Sequence, residues 1–98
     1  MKKLSSDMEK AHYNILVKGK VQGVWFRKYA KDQADSLGIE GYVKNDENGN
    51  VYVEAEGTTD AIDSFIETLK KGSPLSKVSE VIFDIDSSKG YKEFKIIR

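Results

Sequence analysis

Gly19-Lys20-Val21-Gln22-Gly23-Val24-Trp25-Phe26-Arg27 sets two glycines between an apolar run and a helix-like run, with an arginine in the first helical turn. Residues of these types in this order bind phosphate. A helix start leaves unpaired N–H groups and a partial positive charge, glycine lets the backbone approach closely, and a guanidinium fork matches phosphate oxygens. No Gly-Lys-Ser/Thr closes the loop, so it is not a Walker A motif. Two glycines without a G-x-G start do not make a dinucleotide fingerprint either.

Other residues of chemical interest are few. His12 is the single histidine, and without a partner in its neighbourhood it reads as a solvent-facing strand residue. The acidic pairs Asp46/Glu47 and Asp84/Asp86 lack a histidine or third carboxylate at ligand spacing, so they read as solvated surface and no metal site is expected. The chain has no cysteine, which removes disulfides, thiolate nucleophiles and thiolate metal sites. Sixteen basic and sixteen acidic residues cancel, and the lysines alternate with acids, so no field attracts nucleic acid or a membrane surface. Lys2 and Lys3 have no apolar run behind them, and no segment approaches a membrane span. The expectation is a cytoplasmic protein.

The elements that must position the loop can be read from periodicity. Residues 1–11 show no clear period and read as a loose extension before one domain, residues 12–98. His12 to Lys18 alternates as a strand. Phe26, Ala30, Ala34 and Leu37 recur at helical spacing, with Gly38 as the stop. Ile39–Asn45 and Val51–Glu56 alternate about the turn signal Asp46-Glu47-Asn48-Gly49, which predicts a hairpin. Thr58 or Thr59 caps a second helix with the stripe Ile62, Phe65, Ile66 and Leu69, ending before Gly72 and Pro74. Val78–Asp86 and Phe94–Ile97 are further strands, the last without an assigned neighbour. The order β-α-β-β-α-β plus a terminal strand, with two singly striped helices, predicts an α+β fold. Its form is the ferredoxin-like α/β sandwich, with both helices on one face of a mainly antiparallel sheet.

In that topology the first helix makes strands one and two parallel, so both end at the same edge and bring Asn45 beside the glycine loop. With the third strand between them, the two are about 10 Å apart, a gap for one phosphate and one water. The pocket then holds backbone donors, one guanidinium and one neutral amide, but no general base. Such a site suits a substrate with a good leaving group. The carboxylate leaving a carboxyl-phosphate anhydride has a pKa of about 4–5 and needs no acid. A loose transition state asks little of a base, so positioning and charge stabilisation suffice.

The pattern Gly19-x-Val21-Gln22-Gly23-Val24-x-Phe26-Arg27 with Asn45 in Gly41-Tyr42-Val43-Lys44-Asn45 closely resembles the acylphosphatase family. Asn48-Gly49-x-Val51-x-Val53-x-Ala55-x-Gly57 and Gly72-Ser73-Pro74 extend the resemblance from Tyr13 to the C-terminus. It implies hydrolysis of small acylphosphates to a carboxylate and inorganic phosphate, without metal or organic cofactor. It also implies that Arg27 grips the phosphoryl oxygens, that Asn45 orients the attacking water, and that main-chain N–H groups of Lys20, Val21, Gln22, Gly23, Val24 and Trp25 surround the phosphate. Tyr42 and Lys44 depart mildly from the family pattern, and the Lys20 side chain takes no role.

Two other functions compete. A non-catalytic phosphate or small-anion-binding regulatory module would use the same loop but has no need for Asn45. An RNA-binding domain of the same fold order would need an aromatic, basic third strand, where Val51-Tyr52-Val53-Glu54 stands instead. A larger enzyme can carry the same unit, yet a free-standing enzyme, monomeric and without a nucleic-acid or membrane partner, is the expectation.

Overall fold

The structure, a computed structural model, describes residues 10–98. The chain forms β1 (Lys10–Lys20), α1 (Phe26–Leu37), β2 (Glu40–Asn45), β3 (Val51–Thr58), α2 (Thr59–Lys71), β4 (Lys77–Asp86) and β5 (Phe94–Ile97). β1 therefore takes in Lys10 and Ala11, two residues of the stretch read as an extension. The other nine residues of that stretch lie outside the described residues. The five strands make one sheet in the order β4-β1-β3-β2-β5, antiparallel except for β2 beside β5. β3 does lie between β1 and β2, and the terminal strand, whose neighbour the sequence left open, runs parallel to β2 along the edge.

Both helices cover the same face. Ile15, Val17, Val43, Val51, Val53 and Ala55 point to it from alternate strand positions, and meet Phe26, Ala30 and Ala34 of α1 and Ile62, Phe65, Ile66 and Leu69 of α2. Each large side chain buried there contributes roughly 1.5–3 kcal/mol. Phe94 joins this core edge-on to Phe65, with ring centroids 5.9 Å apart, and so fastens β5 to the sheet. Thr58 caps α2 by accepting from the Ala61 N–H at 3.2 Å, while Lys70 and Lys71 sit in its last turn, where the helix dipole favours cations.

Register carries this regularity to the sheet edge. Val51 is opposite Val17 on one side and Asn45 on the other. Strand parity puts Asn45 in the row of Gly41 and Val43, on the helix-covered face. Asn45 therefore stands level with the end of β1, facing the layer into which the glycine loop turns.

The other face corrects the reading of His12. Its side chain is fully buried, not solvent-facing. Nδ1 lies 2.9 Å from Glu56 Oε2 and Nε2 lies 2.8 Å from Glu54 Oε1, and the Tyr91 ring stacks over it at 5.8 Å. The segment between β4 and β5 folds back as the cover, because its N–H groups need an acceptor and Glu56 provides one for Lys89, Gly90 and Tyr91. Glu54 also accepts from the hydroxyls of Tyr42, Tyr52 and Tyr91 at 2.8–3.1 Å. Burial alone would push both carboxyls up, but these donors outweigh it and hold both below the ordinary value. For Tyr91, burial and the Glu54 carboxylate together push the phenol up to about 12.

The sign of the linkage follows from these directions. A carboxyl whose folded pKa is depressed adds stability above its ordinary value of about 4.5, and that stability is lost as pH falls through the folded value. Removing one partner from a buried charged cluster typically costs ~3–5 kcal/mol. Chemical denaturation should therefore find Glu56→Gln less stable than the parent at neutral pH by a cost of that order, with the gap narrowing as pH drops below the ordinary value of about 4.5. Equal midpoints at neutral pH would contradict the role given to the cluster.

Candidate active site

The turn from β1 into α1 is made by residues 21–25. Its two glycines serve different needs. At Gly19, φ is 130° and the β1–β4 register shifts, and an added Cβ would lie 2.1 Å from the Lys77 carbonyl oxygen. Its missing side chain is thus required by β4, not by a ligand. Gly23 has φ 73° and open space around it, so its requirement is conformational: it turns the chain left-handed where a cavity opens.

That cavity has a volume of about 590 Å3 and is lined by Val21, Gly23, Trp25, Phe26, Arg27, Lys28, Asn45, Ile96 and Arg98. The structure thus brings Arg27 and Asn45 together on one cavity, with Val21, Gly23 and Trp25 of the loop. Lys20, Gln22 and Val24 are not in its lining. Lys20 pairs with Lys77 in the β1–β4 ladder, and Val24 packs against the core. Three lining side chains are cations and none is a carboxylate or histidine, so the walls favour an anion and offer no general base.

Each principal group has a defined support. Arg27, in the first turn of α1, is half-buried and donates from Nη1 to the Ile97 carbonyl at 3.3 Å. β5 thus anchors one limb of the guanidinium, whose fork carries five N–H donors. Asn45 ends β2. Three buried side-chain oxygens have no hydrogen-bond partner among the described residues, Asn14 Oδ1, Asn45 Oδ1 and Ser73 Oγ, and of these three residues only Asn45 lines the cavity. A buried acceptor without a donor is costly, which sets the Asn45 amide apart from the other residues of the wall.

The start of α1 is likewise unmet. Trp25 at its N-cap supplies no side-chain acceptor, and no acidic residue stands in the first turn. α2 has both, in Thr58 and Asp60. First-turn N–H groups without a local side-chain acceptor and with the helix dipole behind them suit an anion.

Sequence reasoning missed the Gln22 side chain. Its Nε2 donates to the Asp46 carbonyl at 2.9 Å and the Asn50 carbonyl at 2.7 Å. Those two carbonyls belong to the β2–β3 turn, which is also closed by Asp46 Oδ1 accepting from the Asn48 and Asn50 N–H groups. One amide therefore ties the loop that carries Arg27 to the hairpin that carries Asn45. No periodic signal marks it, since its partners are 24 and 28 residues away. Ile96, Lys28 and Arg98 were also not singled out, because two of them come from the terminal strand and its end, whose position was open.

Among the described residues, no group of three or more His, Cys, Asp or Glu could hold a metal ion, and no helix is long and apolar enough to cross a membrane. A family model described as acylphosphatase matches residues 13–96. A curated acylphosphatase of Bacillus subtilis is 42% identical over 86 residues, covering 87% of this chain and 94% of that protein. The crystal structure of acylphosphatase from Bacillus subtilis superposes with a TM-score of 0.88 at 40% identity, over 90% of this chain and 99% of that one. The structure of an acylphosphatase from Coxiella burnetii gives 0.87 at 34% identity, over 90% and 93%.

The Gln22 tie makes a prediction independent of activity. Two hydrogen bonds at about 0.5–1.5 kcal/mol each are lost in Gln22→Ala, which should unfold about 1–3 kcal/mol more easily. Because the Asp46 N–H donates to the Asn50 carbonyl at 2.9 Å inside the turn, its hydrogen exchange should accelerate in the variant. Unchanged exchange at Asp46 would show that the turn does not depend on the tie.

Proposed function

The chain belongs to the acylphosphatase family, and from this premise we propose how its own residues hydrolyse the carboxyl-phosphate bond of acylphosphates to a carboxylate and inorganic phosphate. The phosphoryl group sits at the start of α1, its oxygens taking donors from the main chain between Lys20 and Trp25 and from the free limb of Arg27. Water is held by Asn45 and attacks phosphorus. The observation that carries this reading is that Asn45, whose Oδ1 has no hydrogen-bond partner among the described residues, shares one cationic cavity with Arg27: its side-chain amide holds the water and turns a lone pair of that water toward phosphorus.

The chemistry asked of the site is modest. As the P–O bond to the carboxylate lengthens, negative charge moves to the leaving oxygen, which is stable as a carboxylate at neutral pH. The transferring group is loose and spread over its equatorial oxygens. Fixed donors aimed at those oxygens need no reorganisation during reaction. The water loses its proton late, to a phosphate oxygen or to solvent, so no base is needed in the walls. Neither metal nor organic cofactor takes part in this scheme. The reading includes a monomer working in the cytoplasm on a small molecule; the balanced charge of the chain supports the part of it that involves no nucleic acid or membrane surface.

Arg27→Ala should lower kcat/KM for an acyl phosphate by about 10³-fold or more, the order seen when a phosphoryl-gripping arginine is removed. Arg27→Lys should recover little, since a point charge does not reproduce the fork. Asn45→Ala should cut kcat by about 100- to 1,000-fold with a smaller change in KM, because it meets the water and not the substrate. Phosphate release measured with a chelator present checks all three. Full activity in Arg27→Ala and Asn45→Ala would overturn the assignment, and phosphate binding without turnover in the parent would favour the regulatory module.

A further inference from the structure

Trp25 is the one non-glycine residue with positive φ among the described residues, at φ 61° and ψ 21°. A bulky side chain in that region carries strain, for which only glycine and, less so, asparagine or aspartate are suited. The residue is also 77% exposed, so it returns little burial to the fold, whereas the adjacent Phe26 is 1% exposed in the core. At the N-cap it makes no capping hydrogen bond. Neither local backbone preference, nor packing, nor capping accounts for tryptophan here.

What Trp25 does have is a place on the cavity wall, together with Val21, Phe26 and Ile96. The cavity, at about 590 Å3, lies in the ~300–1,000 Å3 range of clefts that enclose whole small molecules. A phosphoryl group and one water fill only a fraction of it. The indole face has no donor or acceptor for phosphate oxygens, and what remains for it to meet is the other half of the substrate. We propose that Trp25 is the wall against which the acyl group lies, and that it biases the enzyme toward acyl phosphates whose acyl group is flat and apolar, such as an aromatic acid, over short aliphatic ones. This rests on the reading of the cavity as the site of acylphosphate hydrolysis.

An aromatic pair typically contributes enough for about a two- to tenfold preference. The test compares kcat/KM for benzoyl phosphate and acetyl phosphate in the parent, Trp25→Asn and Trp25→Phe. Asparagine tolerates the left-handed backbone, so Trp25→Asn should melt no lower than the parent. Its ratio of benzoyl to acetyl kcat/KM should fall by about two- to tenfold, mainly through a higher KM for benzoyl phosphate, and Trp25→Phe should hold the ratio near the parental one. An unchanged ratio in a folded Trp25→Asn, or an equal loss of ratio in Trp25→Phe, overturns the proposal. If the parent hydrolyses neither substrate, the underlying reading of the site fails with it, an outcome told apart by the absence of any ratio to compare.

Discussion

Two carbonyls of the β2–β3 turn converge on one amide, that of Gln22, and the geometry of the site depends on this. Arg27 and Asn45 come from segments with no covalent reason to be adjacent. The sheet brings them to one edge, because Val51 is opposite both Val17 and Asn45. Register by itself sets strand ends, however, and loops beyond strand ends are free to swing. The Gln22 bonds at 2.9 and 2.7 Å convert two loops into one support. In the proposed reaction, which relies on position and charge, a displacement of about 1 Å would cost ~10²-fold, and the brace holds that position.

The opposite face does a related job by different means. His12, Glu54 and Glu56 build a polar cluster on the face that neither helix covers, and Tyr91 closes it. By holding the N–H groups of Lys89, Gly90 and Tyr91, Glu56 fixes the segment from which β5 emerges. β5 in turn offers the Ile97 carbonyl to Arg27 and Ile96 to the cavity wall. The polar cluster and the cavity edge are thus linked through one short strand, which Phe94 pins to the core from the other side.

How much of this was legible depends on the range of each signal. The glycine loop, both helices and the hairpin are local patterns, and the parallel run of the first two strands that the first helix imposes was enough to bring Asn45 to the loop. His12 was misread because its partners are 42 and 44 residues away and its cover is a segment with no period. Gln22 was read for its backbone while its side chain braces the neighbouring turn. Gly19 was read as room for phosphate, whereas the close approach of the Lys77 carbonyl is what excludes a Cβ there. In each case the residue type was informative and the partner was not, since pairing across the sheet is set by register and not by sequence distance.

In the proposed reaction water attacks phosphorus and the carboxylate leaves with its own oxygens. Hydrolysis in water enriched in oxygen-18, followed by mass spectrometry of both products after a single turnover, tests this directly. The label should appear in inorganic phosphate and be absent from the carboxylate. Label in the carboxylate would mean attack at the carbonyl carbon, and neither the placing of Asn45 nor that of Arg27 would then explain the reaction.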